Sequence, residues 1–230
     1  MPFQPPSASH KNLRVKDSVA ATLREEIIRG SLKPGETIVE GKRAARLGVA
    51  QASIREAINI LAAEGFVEKV PGRSARVVIL TDDDIAQMYQ VRNALESLAA
   101  RLMVERKVPL GDLDQALADM GAALECGNAR LFYERDVRFH LLIAAASGNR
   151  YLEQELRRFL VPLFAFVVIR VQGITGENVA YWADTMDRHR KLMAALQSGD
   201  PLEAEAQFRH SLESFHESTR LLLTTSNWKA

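Results

Sequence analysis

Residues Ala44–Glu68 read AARLGVAQASIREAINILAAEGFVE, and this stretch decides the fold of the first third of the chain. Gly48 separates two helical patterns. One runs from about Glu40 to Leu47, and the other from about Ser53 to Glu64 with Ile54, Ile58 and Leu61 on one side. The glycine permits a tight turn between them, and Gly65 ends the second. Upstream, Asp17 to Arg29 carries Val19, Leu23, Ile27 and Ile28 on one face and stops at Gly30 and the Pro34-Gly35 pair. Downstream, the short runs Phe66–Val70 and Arg76–Leu80 flank PGRSA, which predicts a β-hairpin with Pro71, Gly72 and Arg73 at its tip.

Three helices with a tight turn between the second and third, followed by a hairpin, make a winged helix-turn-helix, whose third helix enters a DNA major groove. Charge agrees with that use. Residues 1–80 carry 13 Lys and Arg against 8 Asp and Glu, whereas residues 81–230 carry 17 against 21. A basic front end on a slightly acidic body suits a polyanionic partner. Residues 1–16 are polar and proline-rich and read as a loose arm, so the predicted organisation is an arm (1–16), a winged helix (17–80) and an all-helical domain (81–230).

The segments LREEIIRGSLKPGETI, AARLGVAQASIREAINILAAEGFVE and VPGRSARV together resemble the DNA-binding domain of the GntR family, over about residues 15–80. The resemblance implies that Gln51, Ser53 and Arg55 face bases or phosphates, that Lys42 lies near the DNA backbone, and that Gly72 and Arg73 enter from the wing. Arg55 can grip guanine or phosphate in a fork; its alternative use is an ion pair with Glu56 or another nearby acid. Where the family often has Ser-Arg-Thr-Pro, this chain has Ala50-Gln51-Ala52-Ser53, and Arg43 stands where the family usually has an apolar residue. Glutamine favours adenine and arginine favours guanine, so the expected operator differs from the common half-site at one base pair. Selection of the ordinary guanine-rich half-site, unaltered by Gln51→Arg, would contradict that expectation.

From Thr81 onward the patterns are helical throughout, at about 82–107, 110–126, 129–147, 149–171, 178–198 and 201–224. Thr81 followed by three aspartates starts the first of these. The run Phe159–Ile169 has 11 apolar residues, too few for the roughly 20 of a spanning helix, and reads as a core or dimer helix. The fold class is therefore mainly α, a winged helix-turn-helix followed by a helical bundle. A single cysteine, Cys126, excludes an internal disulfide framework and suits a reducing cytoplasm. No secretory signal is visible.

Asp136 and His140 stand four apart in ERDVRFHLLIAAASGN, on a helix otherwise growing apolar. His189 lies ten residues before Gly199 and His210 nine after Pro201, so both sit roughly 14 Å from the turn of a helical hairpin. One carboxylate and three imidazoles suit Zn²⁺, Ni²⁺ or a similar divalent ion. Taken singly, each histidine also fits an ordinary core or surface role. VRNALESLAA, RDVRFHLLIAAASGNRYL and the hairpin from His189 to His210 resemble the FCD-type ligand-binding domain of the FadR subfamily within GntR, over about 83–224. That resemblance implies a central metal completed by a small carboxylate effector, with Arg92 directed at the carboxylate; the alternative for Arg92 is an i, i+4 ion pair with Glu96. The implied function is a homodimeric, effector-responsive transcription regulator on a double-stranded operator. Two rivals remain at this point, a metal-dependent hydrolytic enzyme using the Asp/His set and a DNA-binding dimer without metal or effector.

Overall fold

The computed structural model of this chain describes residues 8–70, 75–175 and 179–225, with side chains over 15–70, 75–166 and 182–215. The expected wing residues Gly72 and Arg73 lie outside the described residues. The boundary between two compact units falls between Ile79 and Leu80.

In the first unit, α1 (Ala8–Ile28), α2 (Glu40–Leu47) and α3 (Gln51–Ala63) pack with strands β1 (Thr37–Ile38), β2 (Val67–Lys69) and β3 (Ala75–Val77). Val19, Leu23 and Ile27 of α1 and Ile54, Ala57, Ile58 and Leu61 of α3 are buried, and Leu32, Ile38, Phe66 and Val77 complete the core. Helix α1 starts at Ala8, well upstream of the expected Asp17. No glycine or proline lies between Ala8 and Arg29, so a polar, basic lead-in can extend the helix without a breaker.

The antiparallel sheet has the order β1-β3-β2, with Thr37 opposite Arg76 and Val67 opposite Val77. Strand β1 was not legible because two residues carry no alternation to detect. Its approach depends on Gly35, whose φ is +79° and where a Cβ would come within 2.9 Å of Ile79 Cδ1. Gly48 closes α2 at φ +64°, the left-handed turn into α3. Ala50 caps α3 without a side-chain hydrogen bond, as its missing hydroxyl requires. Arg43 is held rather than misplaced: Nη1 donates to Glu26 at 2.9 Å and Nη2 to Glu36 at 3.1 Å, tying α2 to α1 and to the loop before β1.

The second unit contains α4 (Asp82–Glu105), α5 (Gly111–Glu125), α6 (Ala129–Ala146), α7 (Arg150–Thr175), α8 (Val179–Gln197) and α9 (Pro201–Thr225). Thr81 and Asp84 form a reciprocal capping box that starts α4. Asn128 accepts from Leu131 N at 2.9 Å to start α6, and Asn149 accepts from Tyr151 N and Leu152 N at 3.2 Å to start α7. Helix α4 lies along α9 and also packs on α6 and α7, while α5 packs on α6 and α8. Within the apolar run, Leu160, Leu163, Phe164, Ala165 and Phe166 are buried in the bundle. Among the described residues, no helix is long and apolar enough to cross a membrane.

Candidate metal centre and DNA-reading face

Three helices bring a polar cluster into the interior of the second unit. Helix α6 supplies Asp136 and His140, one turn apart; α8 supplies His189; α4 supplies Arg92 and Glu96, also one turn apart. All five side chains are buried. Asp136 Oδ1 lies 2.9 Å from His189 Nε2 and 3.2 Å from His140 Nε2, and the two Nε2 atoms are 3.2 Å apart.

The outer ring nitrogens determine what those inner atoms present. His189 Nδ1 lies 2.8 Å from the Thr185 carbonyl, which can only accept, so Nδ1 carries a proton. His140 Nδ1 faces Glu96 Oε2 at 2.5 Å, an ion-pair contact that favours a proton on this nitrogen. In the neutral imidazoles both Nε2 atoms are then lone pairs, converging with a carboxylate oxygen. Three acceptors this close require a proton or a cation between them. Donors about 2.0–2.2 Å from a tetrahedral Zn²⁺ stand roughly 3.3 Å apart, close to the separations found. Asp136, His140 and His189 thus form a buried group able to hold a metal ion. The contacts of His140 with Glu96 and of His189 with a carbonyl are the outer-shell partners that orient metal-binding imidazoles.

Electrostatics reinforce the ionised carboxylates. Burial works against the charge on Glu96, but Arg92 and His140 outweigh it and hold its pKa at about 2. Burial opposes the charge on Asp136 as well, and His189 and His140 pull its pKa well below the carboxylate range. Burial opposes protonation of His140, yet Glu96 prevails and its pKa is raised, so a proton competes with a metal ion for the Nε2 lone pair.

Arg92 makes the Glu96 ion pair weighed for it in the sequence. Its Nε donates to Glu96 Oε1 at 2.5 Å, but the pair is buried, not a solvated surface bridge. Nη2 lies 3.2 Å from His140 Nε2, and the guanidinium sits 4.7 Å from the centroid of Phe164. Nη1 has no hydrogen-bond partner among the described residues. A cavity beside the cluster is lined by Arg92, Asp136, His140, Phe164, His189 and Ser211.

The expected fourth ligand does not join this group. His210 is exposed on α9, and its neighbour Ser211 lines the cavity instead. Matching heights along two antiparallel helices fixes level but not rotation, and each residue turns a helix by about 100°. Glu134, by contrast, points outward to Arg130 at 3.0 Å. Glu96, as the partner of His140, was not foreseen; its spacing suggested only a bond to Arg92.

In the first unit, Gln51, Arg55 and Lys42 are exposed and Ser53 half-buried. Arg55 does pair with an acid, but with Glu40 rather than Glu56. Nε and Nη2 donate to its carboxylate at 3.3 and 2.9 Å, and Gln51 Nε2 donates to the same carboxylate at 3.1 Å. Sequence spacing gave no sign of Glu40, because its contact with Arg55 spans 15 residues and depends on how α2 packs on α3.

A three-helix unit with a three-stranded sheet, joined in one chain to a helical bundle with a buried polar cluster, defines a two-domain DNA-binding regulator. Residues 15–77 match the family described as bacterial regulatory proteins of the gntR type, and residues 87–214 match the FCD domain. The FCD match alone exceeds half of the chain, and the chain belongs to the GntR family of transcription regulators, in its FCD-containing branch. A Paenarthrobacter nicotinovorans protein named "Probable D-xylose utilization operon transcriptional repressor" is 27% identical over 217 residues, covering 92% of this chain and 93% of its own length. The gluconate operon transcriptional repressor of Bacillus subtilis (strain 168) is 28% identical over 184 residues, 79% of this chain and 75% of that protein. The solved structure of Escherichia coli McbR/YncC superposes with a TM-score of 0.75 at 21% identity, covering 93% of this chain and 99% of that one, a likeness of fold. The family and these relatives are DNA-binding regulators rather than enzymes, and nothing among them supports a hydrolytic use of the Asp/His set.

Proposed function

We propose that this chain is a homodimeric repressor whose helical unit binds a divalent metal and a small carboxylate effector. The reading rests chiefly on the convergence of Asp136 Oδ1, His140 Nε2 and His189 Nε2 within 3.2 Å in a buried site. Two imidazoles and a carboxylate suit Zn²⁺, with Ni²⁺ or another transition metal as alternatives. Three protein ligands leave a coordination position for an exogenous donor. Arg92 Nη1 and the cavity beside Ser211 provide a cationic neighbour for a carboxylate bound there. The relatives named as repressors favour repression. The effector regulates only if it binds unequally to the arrangements that hold and release the operator.

A thermal-shift screen of small carboxylates, sugar acids included, run with and without chelator, tests the effector assignment. A carboxylate at 100 times its Kd should add about 2.7 kcal/mol of stability to the metal-loaded protein and none after chelation. Stabilisation that persists in chelator would detach the effector from the metal.

The position of Ser211 gives a second test. His210→Ala should leave zinc affinity unchanged, whereas Ser211→His should raise it by placing a fourth imidazole at the cavity. Equal zinc affinities for the wild type and Ser211→His would show that position 211 does not face the ion.

For the DNA face, Arg55→Ala should weaken operator binding by about 1–3 kcal/mol, roughly five- to 150-fold. Wild-type affinity should fall steeply between 50 and 200 mM salt, as counterion release requires. Fluorescence anisotropy across that range checks both; a salt-insensitive complex would contradict the assignment. Light scattering of the purified protein tests the dimer.

A further inference from the structure

Glu40 is an acid on the face assigned to a polyanion, and that placement demands an explanation. It is the first residue of α2 and only 19% exposed at its side chain, while Arg55 remains 61% exposed. Its two oxygens are shared between both polar readers of α3. Oε1 and Oε2 accept from Arg55 Nε and Nη2, and Oε2 also accepts from Gln51 Nε2.

The geometry points to Glu40 as a specificity-determining residue that locks Gln51 and Arg55 into one two-pronged base reader. This inference rests on the DNA-binding role of α3.

The hydrogen inventory makes the lock compatible with reading. Arg55 engages Glu40 through the Nε side of its guanidinium. That leaves both Nη1 hydrogens and one Nη2 hydrogen, the end-on fork that meets guanine O6 and N7. Gln51 spends one amide hydrogen on Glu40. Its carbonyl oxygen and second amide hydrogen, the pair that addresses adenine N6 and N7, remain available. The two residues are four apart on α3, one turn on the same face, so they present to neighbouring base pairs. Without the carboxylate, each long side chain would be free to swivel onto phosphates, which attract but do not discriminate. Glu40 also repels the phosphate backbone, so the lock should sacrifice non-specific affinity for base discrimination.

The test uses the full-length protein and a randomised double-stranded 20-mer library, selected and sequenced, followed by anisotropy on the winning sequence and its single-base variants. The wild type should show a sharp preference at two neighbouring base pairs per half-site. Glu40→Gln and Glu40→Ala should each reduce discrimination at those two positions by about tenfold. Affinity for unrelated duplex should hold or rise, and preferences elsewhere in the half-site should persist. Circular dichroism establishes that the variants are folded, and the near-isosteric glutamine controls for the loss of side-chain volume in Glu40→Ala. Unchanged preferences in both variants, or a uniform loss across all sequences, would overturn the proposal and reduce Glu40 to a structural pair. Arg55→Ala separates the levels: if it weakens the winning sequence while Glu40 variants keep full discrimination, the DNA face stands and the lock fails. If Arg55→Ala changes nothing, the assignment of α3 fails, and the lock with it.

Discussion

Glu96→Ala should destabilise the helical unit by about 3–5 kcal/mol, the cost of breaking a buried ion pair from one side. The carboxylate is enclosed with Arg92 and His140 at side-chain exposures of 2–3%. Its removal strands a guanidinium that water cannot reach and takes away the acceptor opposite His140 Nδ1. Phe164, 4.7 Å from Arg92, offers only a ring face in compensation. For a unit of this size each kcal/mol shifts Tm by roughly 2–4 °C, so calorimetry should show a fall of about 10 °C. The matched double variant Arg92→Met/Glu96→Met should recover much of the loss, because an apolar pair needs no partner. A comparison pair on the surface is Arg157 and Glu153, 3.3 Å apart and 58% and 35% exposed. Arg157→Ala should cost less than about 1 kcal/mol. If Glu96→Ala proved equally mild, Arg92 and His140 would have to find solvent or other partners, and the cluster would be looser than described.

The second large effect concerns the metal. His189→Ala removes one of three converging donors and should reduce zinc affinity by more than the 10- to 100-fold typical of outer-shell changes. Glu96→Gln, by comparison, should fall within that outer-shell range, since it loosens His140 and the pairing with Arg92 but removes none of the three converging donors. Adding zinc at 100 times its Kd should stabilise the wild type by about 2.7 kcal/mol, and His189→Ala should lose that gain at the same concentration. Isothermal titration with ZnCl₂ separates the two variants. Equal losses in both would mean that the imidazole of His189 supports the site rather than completes it.

Much of the architecture was legible because short, local chemistry punctuates it. Gly48, Gly65, Thr81, Asn149 and the Gly199–Pro201 turn each end or start a helix within a few residues of where spacing placed it. What escaped the sequence was non-local. Strand β1 exists only because β3 lies beside it, and the contacts of Glu40 with Arg55 and of Glu96 with His140 cross between helices. Asp136 and His140 were readable as a pair because one turn of a single helix aligns them. His189 joined them across helices, but the same hairpin reasoning misassigned His210, since height along α9 says nothing of the direction in which a side chain leaves it. Arg43 taught the converse: an apparent misfit to the family pattern is satisfied by Glu26 and Glu36, two residues far from it in the motif.

Metal analysis of the full-length chain, purified without immobilised metal or chelator and then equilibrated with ZnCl₂, tests the central claim most directly. The account predicts one ion per chain in the wild type and in His210→Ala, and none in Asp136→Asn/His189→Ala with helical content preserved. A wild type that takes up no metal, or a double variant that retains it, would contradict the account.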